Sequence, residues 1–522
     1  MTSVPVRSLP SGVLSYALEA PETMVEMLGN TLERSPRKTA FVAAEGSLTW
    51  AEFGARVDEL AGRLVAAGVV SEDRVGILAP NGLAFTTAVW ATWRVGGVVV
   101  PLNFRLTPND LSALLVDSWP RLLLVGAACE GLAAEAAEAI PDLPVHHADE
   151  QGRFLVSGPS GQLPIDLPGP GSPAAIMYTS GTTGLPKGVV VSHANAVQNS
   201  LTCTAVIGRT TEDIELVMVP QFNITGLFSQ TVPVVLMGAT AVLLAGFDAI
   251  RALDLMEAHG VTSTVGAPTM WWRLLEESAA HDRHELSGLR LALYGGAPMP
   301  AAQLARMQQA MPQAVFGNGY GLTETCSMVT FIGGAEALKH PASVGRPLPI
   351  TNLRIVDAIT GADVIPGQTG EVVVRGGQVA QGYWSRQGIQ PLGDKDGWVH
   401  TGDAAALEDG FVVLRDRIKD VIKRGGESVF SFEIENCLHQ HPEILDAAVV
   451  GVPDEQYGER VLACVVPKPG HHLLPDEVRA FCRENLAGFK VPSYVEVRDA
   501  LPRNPGGKVI KSQLRSEFSP SH

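Results

Sequence analysis

Tyr178-Thr-Ser-Gly-Thr-Thr-Gly-Leu-Pro-Lys187-Gly-Val-Val-Val-Ser-His193 is a run of small, hydroxylated and glycine residues, closed by one lysine and leading into an apolar stretch. Thr179, Ser180, Thr182 and Thr183 offer hydroxyl donors. Gly181, Gly184 and Gly188 permit positive φ and close backbone approach, and Lys187 adds a mobile point charge. The composition suits a phosphate cradle. It is not a Walker loop, because Pro186 precedes the lysine and Gly188 follows it, where that loop carries Gly-Lys-Ser/Thr. A flexible Ser/Gly linker is the plain alternative. A single lysine abutting the β-type run Gly188 to Val191 weighs against it.

The rest of the chain bounds what such a cradle serves. With 522 residues, 46% of them hydrophobic, the chain has core for roughly three to four compact units at about 150 residues each. The longest apolar stretch, Thr231 to Phe247, contains Pro233, Gly238 and Gly246 and falls short of a membrane span. No charged and apolar leader opens the chain, so a cytoplasmic location is expected. Six cysteines without C-x-x-C spacing read as reduced packing thiols, not as a disulfide framework or zinc site. A net charge of −16 argues against a nucleic-acid surface, so an anionic ligand must be held by local donors.

Upstream, Thr49-Trp-Ala-Glu52 is a capping box, followed by Trp50, Phe53, Val57, Leu60, Leu64 and Val65 at helical spacing and by Gly68 as a stop. Short β-type runs at Val75 to Leu78, Val98 to Pro101 and Leu122 to Val125 alternate with helical patterns, the signature of a parallel α/β layer. The rhythm returns after the cradle at Leu216 to Val219, Ala241 to Leu244, Val261 to Val265 and Leu289 to Tyr294. The loops Pro220 to Gly226, Gly266 to Thr269 and Gly295 to Pro298 follow strands there, where open α/β sheets bind ligands. From about Thr351 the period becomes two, predicting a small antiparallel, barrel-like β subdomain that ends near Arg415. A charged segment, Arg415 to Gly426, then leads into an α+β module of roughly a hundred residues.

Taken together these stretches resemble the adenylate-forming superfamily of acyl-CoA synthetases, luciferases and peptide-synthetase adenylation domains, over nearly the whole chain. Five motifs stand in that superfamily's order: Tyr178 to Gly188, Asn318-Gly-Tyr-Gly-Leu-Thr-Glu-Thr325, Trp398-Val-His-Thr-Gly-Asp403, Arg417 to Glu435, and Asn504-Pro-Gly-Gly-Lys508. The resemblance implies a large N-terminal domain, 1–418, of two α/β subdomains plus the β subdomain, and a mobile C-terminal domain, 419–522, hinged near Lys419. It also implies ATP, Mg²⁺ and coenzyme A as cofactors and a small-molecule carboxylic acid as substrate, with no nucleic acid and no membrane segment, and it leaves a homodimer open.

The same resemblance implies residue roles. Lys508 would bridge the acid's carboxylate and the α-phosphate; one ion pair at 4 Å is worth about 4 kcal/mol at an effective dielectric of 20. Without the resemblance it would read as a solvated lysine. Glu324 would ligate Mg²⁺ and Thr323 bond the α-phosphate, while Lys187 and the loop Thr179 to Gly184 hold the β- and γ-phosphates. Tyr320 would lie against adenine and Asn318 reach its amino group, within Asn318 to Gly321 (Gly319 included), with Gly295, Gly296 and Ala297 covering the other face. Tyr320 as core packing is the alternative. Asp403, supported by Arg417, would accept from the ribose hydroxyls, unless it merely makes an Asx-turn. Lys419 matches the hinge. Lys423, Gly425, Gly426 and Glu427 fall to the thioester step, although charge runs are usually solvated faces.

Two departures bear on the substrate. An aromatic-histidine pair common in the superfamily is here Phe222 followed by Asn223, and Val217 to Gln230 holds no acidic residue to pair an α-ammonium. The expected substrate is therefore a fatty or natural-product acid, in a pocket including Phe222, Asn223, Gly226, Thr269 and Trp271. Trp271 and Trp272 as core packing remain open. Enzymes performing one half-reaction or loading a carrier protein, and a non-catalytic AMP-binding module, are the competing readings. A P-loop kinase is disfavoured by the missing Gly-Lys-Ser/Thr.

Overall fold

The computed structural model describes residues 6–8, 14–16, 20–157, 161–164, 166–179, 186–281, 285–297, 299–503 and 509–518. Contacts divide the chain into two compact units: Met1–Met299, Gln303–Leu353 and Val374–Val399 in the first, Pro300–Ala302, Arg354–Val373 and His400–His522 in the second.

Besides the short pair Val6–Ser8 and Leu14–Tyr16, two large sheets carry the first unit. In one the order is Gln390–Pro391, Gly382–Tyr383, Lys187–Ser192, Pro173–Thr179, Val98–Pro101, Arg74–Leu78, Leu122–Val125, Val145–His147. Its last five strands run parallel and the cradle hairpin closes it antiparallel. The other sheet has a parallel centre, Thr39–Ala43, Thr240–Leu243, Ile214–Val217, Ser263–Gly266, Leu291–Gly295 and Val315–Leu322, continued antiparallel by Ser327–Gly333 and Ser343–Pro347. Parallel register sets the carboxyl ends of Ile214–Val217, Ser263–Gly266 and Leu291–Gly295 along one edge, and the ligand-side loops leave from there.

Local sequence explains the elements. Thr49 Oγ1 accepts from Glu52 N at 3.3 Å and Glu52 Oε2 from Thr49 N at 2.8 Å, which starts the helix Trp50–Ala66. Its stripe Trp50, Phe53, Val57, Leu60 and Leu64 is buried, and Gly68 at φ +83° follows its end. Thr231 to Phe247 is no continuous element: helix Val232–Met237 stops at Gly238, φ +66°, and the strand Thr240–Leu243 follows. The helices Met24–Arg34 and His193–Ala205 also belong to this unit, each with a side-chain N-cap, at Thr23 and Ser192. All six cysteines are buried and free.

In the second unit the strand Phe411–Arg417 pairs antiparallel with Val399–Glu408, and the β region forms an open sheet, in place of the barrel-like closure expected. Beyond it, Glu427–Val429, Ile422–Arg424, Gly458–Pro467 and Ile444–Asp454 lie side by side, with Tyr494–Val497 parallel to Gly458–Pro467. Alternate residues of its central pair enter separate cores, Val449, Val461 and Ala463 on one face, Val450, Leu462 and Cys464 on the other. Helices cover both faces, so these strands read as continuous apolar runs. No helix among the described residues is long and apolar enough to cross a membrane.

Candidate active site

The cradle is a hairpin connection. Antiparallel register sets Lys187 opposite Thr179 and Gly188 opposite Tyr178, and Thr179 Oγ1 donates to Lys187 O at 3.3 Å. Ser180, Gly181, Thr182, Thr183 and Gly184 lie outside the described residues. Lys187 is exposed at the first position of its strand. Gly188 is needed for space and not for positive φ: its strand is extended, and a Cβ there would stand 2.6 Å from Ile176 Cγ2. The Tyr178 hydroxyl donates to Asp117 Oδ2 at 2.5 Å, and burial, then Asp117, pushes that phenol up.

The second motif is built by close antiparallel packing of Val315–Leu322 on Ser327–Gly333. A Cβ at Gly317 would meet Phe331 at 2.6 Å, at Gly319 the Met328 sulfur at 2.5 Å, and at Gly321 the Ser327 carbonyl at 1.5 Å. Cys326 and Ser327 hold positive φ, +46° and +96°, so the backbone reverses sharply just after Glu324. Ser327 Oγ is pinned to Ser229 Oγ at 2.5 Å. Asn318 is buried and its Nδ2 donates to Ser343 O at 3.3 Å; Tyr320 is buried two residues on. Gly295 pairs with Gly319, whose carbonyl would lie 2.5 Å from an added Cβ, and Gly296 turns at φ +77° with Ala297 exposed beside it.

Glu324 sits with Thr323 in the turn Thr323–Thr325, and the chain between Ala380 and Trp384 brings it to the cradle. Ala380 N donates to Glu324 O at 2.9 Å, Gln381 N to Val190 O at 2.9 Å and Trp384 N to Gly188 O at 2.7 Å. Between them the Tyr383 hydroxyl donates to Glu324 Oε1 at 2.9 Å, while Lys187 Nζ stands over the Tyr383 ring, 4.9 Å from its centroid. Burial and the Glu324 charge raise the Tyr383 phenol above its ordinary range. Sequence reasoning missed Tyr383: Gly382-Tyr-Trp384 offers only a glycine-aromatic run, and its proximity depends on strand pairing with Val189 and Val190.

No cluster of three or more metal-type ligands occurs among the described residues. Mg²⁺ in a nucleotide site takes one or two carboxylates with phosphate oxygens and water. Glu324, partly exposed and with Oε1 already oriented, is a donor of that kind.

The segment Pro220 to Gly226, expected to face the acid, is tied to its surroundings by side-chain hydrogen bonds. Gln221 is fully buried; its N donates to Asn81 Oδ1 at 2.6 Å and its Nε2 to Thr86 Oγ1 at 3.1 Å and Thr231 Oγ1 at 3.0 Å. Phe222 meets Phe104 edge-on at 5.5 Å, and Asn223 is half-buried. Gly226 is the second residue of a π-helical segment, Thr225–Thr231, and a Cβ there would stand 2.2 Å from Pro220 O. Thr269 is exposed. Trp271 is wholly buried and its indole donates to Leu293 O at 2.9 Å, within the core.

The remaining expected residues belong to the second unit. Arg417 stands opposite Asp403 in the hairpin, Nε to Oδ1 at 2.7 Å. Thr401 Oγ1 accepts from Asp403 N at 3.1 Å and donates to Val372 O at 2.8 Å, and Gly402 turns at φ +71°. Lys419 lies in the turn Ile418–Asp420, whose Asp420 accepts from Arg515 at 2.6 Å. Asp416, buried, accepts from Ser431 Oγ at 3.0 Å, and burial raises its carboxyl. Arg424 pairs with Glu427 across a two-residue turn in which Gly425 and Gly426 both have positive φ, +59° and +90°. Lys423 Nζ donates to Ser428 Oγ at 2.9 Å. Lys508 lies outside the described residues.

A hairpin ending in Lys187, the Glu324 carboxylate near it and a glycine-lined strand edge are the setting of a nucleotide-dependent ligase, the class that the comparisons show. Residues 28–384 match the AMP-binding enzyme family and residues 433–508 the AMP-binding enzyme C-terminal domain. Feruloyl-CoA synthase of Amycolatopsis sp is 37% identical over 93% of this chain and 96% of its own. Fatty acid–[acyl-carrier-protein] ligase ScoC of Streptomyces coeruleorubidus is 34% identical over 95% and 96%. ATP-bound MatB from Rhodopseudomonas palustris superposes with a TM-score of 0.85 at 31% identity, covering 95% of this chain and 98% of that one. The chain belongs to the AMP-binding enzyme family, in the adenylate-forming superfamily, and is of acyl-CoA synthetase type.

Proposed function

We propose that this enzyme activates an apolar organic acid lacking an α-ammonium, by way of its acyl-adenylate, and passes the acyl group to coenzyme A. This rests chiefly on the segment Val217 to Gln230, which is held by the buried Gln221, contains the half-buried Asn223 and has no carboxylate. The names of the two relatives, one for an aromatic acid and one for fatty acids, support the same class.

In the first step the acid's carboxylate attacks the α-phosphorus and pyrophosphate leaves. Lys187 and the cradle hold the departing β- and γ-phosphates, Thr323 orients the α-phosphate, and Glu324 would hold Mg²⁺. The ion, when bound, neutralises phosphate charge. Asp403 with Arg417 takes the ribose, the strand Asn318 to Gly321 with Gly295 to Ala297 takes the adenine, and Lys508 orients both reacting anions. In the second step the thiol attacks the acyl carbonyl and AMP leaves. Rotation of 419–522 about Lys419 would exchange Lys508 for the turn carrying Gly425, Gly426 and Glu427.

Incubation with hydroxycinnamic, indolic and fatty acids, ATP and Mg²⁺, with and without coenzyme A, tests this. Acyl-CoA from at least one acid is the expected product. Release of pyrophosphate with transfer only to a carrier protein would favour the activity that the ScoC name describes.

A further inference from the structure

Lys187 and Glu324 carry opposite charges and share one neighbour, Tyr383: the carboxylate takes its hydroxyl at 2.9 Å and the ammonium rests 4.9 Å from its ring centroid. No ion pair joins Lys187 to Glu324 among the described residues. Tyr383 itself is held on both sides. Its strand pairs with Val189 and Val190, its successor bonds Gly188 O, and Ala380 bonds Glu324 O. The ring is thus inserted between the two charges by backbone pairing and does not depend on ligand.

We propose that Tyr383 is a positioning residue for nucleotide activation: its hydroxyl fixes the Glu324 carboxylate and its ring face keeps the Lys187 ammonium from collapsing onto it. The inference rests on Glu324 and Lys187 acting on the metal-bound nucleotide as proposed above. A carboxylate that ligates a metal is ordinarily oriented by a hydrogen bond to its other oxygen, and loss of such a partner costs about 10–100-fold in metal affinity. A lysine on an aromatic face keeps its charge, and cation–π attraction is weak enough for an incoming phosphate to displace it. A direct Lys187–Glu324 pair would have to be broken by every nucleotide that binds.

The test uses the full chain with ATP alone, without acid or coenzyme A, so that nothing turns over. Calorimetric titration follows ATP affinity in chelator and across a Mg²⁺ series. Tyr383→Phe, which keeps the ring, is expected to leave metal-free ATP affinity within about twofold and to raise the Mg²⁺ concentration for half of the metal-dependent gain about tenfold. Tyr383→Leu, which also frees Lys187, is expected to weaken metal-free binding as well. Glu324→Gln is expected to abolish the Mg²⁺-dependent gain. If Tyr383→Phe keeps the wild-type Mg²⁺ midpoint while Glu324→Gln loses the gain, Tyr383 has no positioning role and the Glu324 assignment stands. If Glu324→Gln retains the gain, the metal assignment falls and this proposal with it.

Discussion

Arg417 Nε lies 2.7 Å from Asp403 Oδ1, directly across the hairpin of Val399–Glu408 and Phe411–Arg417. The aspartate is buried and the arginine is 37% exposed, so the pair orients Asp403 more than it stabilises the fold. Asp403→Ala is expected to lower kcat/KM for ATP in pyrophosphate release by roughly 10–100-fold, the range for a lost hydrogen bond to a charged group. Arg417→Ala should cost less, and the double variant should match Asp403→Ala within about twofold, because Arg417 acts through Asp403. Additive losses would mean that Arg417 has a separate contact with the nucleotide.

Gly321 is where the strand Val315–Leu322 tolerates no side chain. Its Cβ would stand 1.5 Å from Ser327 O and 2.9 Å from Met328 Cα, backbone atoms held by the Ser229–Ser327 hydroxyl pair. Gly321→Ala is therefore expected to destabilise by at least 1–3 kcal/mol, as overpacking does, and to lower the thermal midpoint by several degrees. Gly296→Ala serves as comparison: its Cβ meets nothing within 4 Å, and only its φ of +77° is strained, at about 1–2 kcal/mol. A wild-type midpoint for Gly321→Ala would contradict the packing described.

What the residues disclose in advance is what they decide locally. The Thr49–Glu52 capping box and the stripe from Trp50 to Leu64 form within one helix and were legible. The run Ala447 to Val452 is continuously apolar because both faces of its strand are buried. Tyr383 was not legible, because it reaches Glu324 only when Gly382–Tyr383 pairs with Val189 and Val190, about two hundred positions upstream. Nor could Trp271 be assigned from its neighbours: its indole is satisfied by Leu293 O, which parallel pairing brings near. The role of Gly188 was legible only as to residue type. Its neighbour Ile176, and not its φ, excludes a side chain.

His193 closes the cradle stretch and is wholly buried, its Nδ1 accepting from Met24 N at 3.3 Å and its ring edge-on to Trp93 at 6.3 Å. Accepting at Nδ1 fixes the neutral form, and burial lowers its pKa to about 4. The folded value lies below the unfolded one, so the unfolded chain binds more protons between them. Stability from this group is complete above about pH 6.5 and is lost as the pH falls towards 4. The denaturation midpoint should drop between pH 7 and pH 5, and His193→Asn should show a smaller drop, whatever its stability at pH 7. An unchanged pH dependence in that variant would assign the acid sensitivity to other groups.

Under the proposed function, Lys187 would serve one half-reaction and not the other. It is exposed at the mouth of the cradle hairpin, rests on the Tyr383 ring and makes no ion pair among the described residues, so its charge is available to a ligand. If it serves the β- and γ-phosphates, its work ends when pyrophosphate leaves. Lys187→Ala is then expected to lower kcat/KM for ATP in adenylate formation by roughly 10–100-fold, the range for one charge-assisted contact. Thioester formation from a supplied acyl-adenylate should stay within about twofold of wild type, since that substrate carries only the α-phosphate. Rapid-quench measurement of each step separately distinguishes the outcomes. Equal losses in both would mean that Lys187 supports the fold of the site or the adenylate itself, and would remove the division of labour that the cradle's position implies.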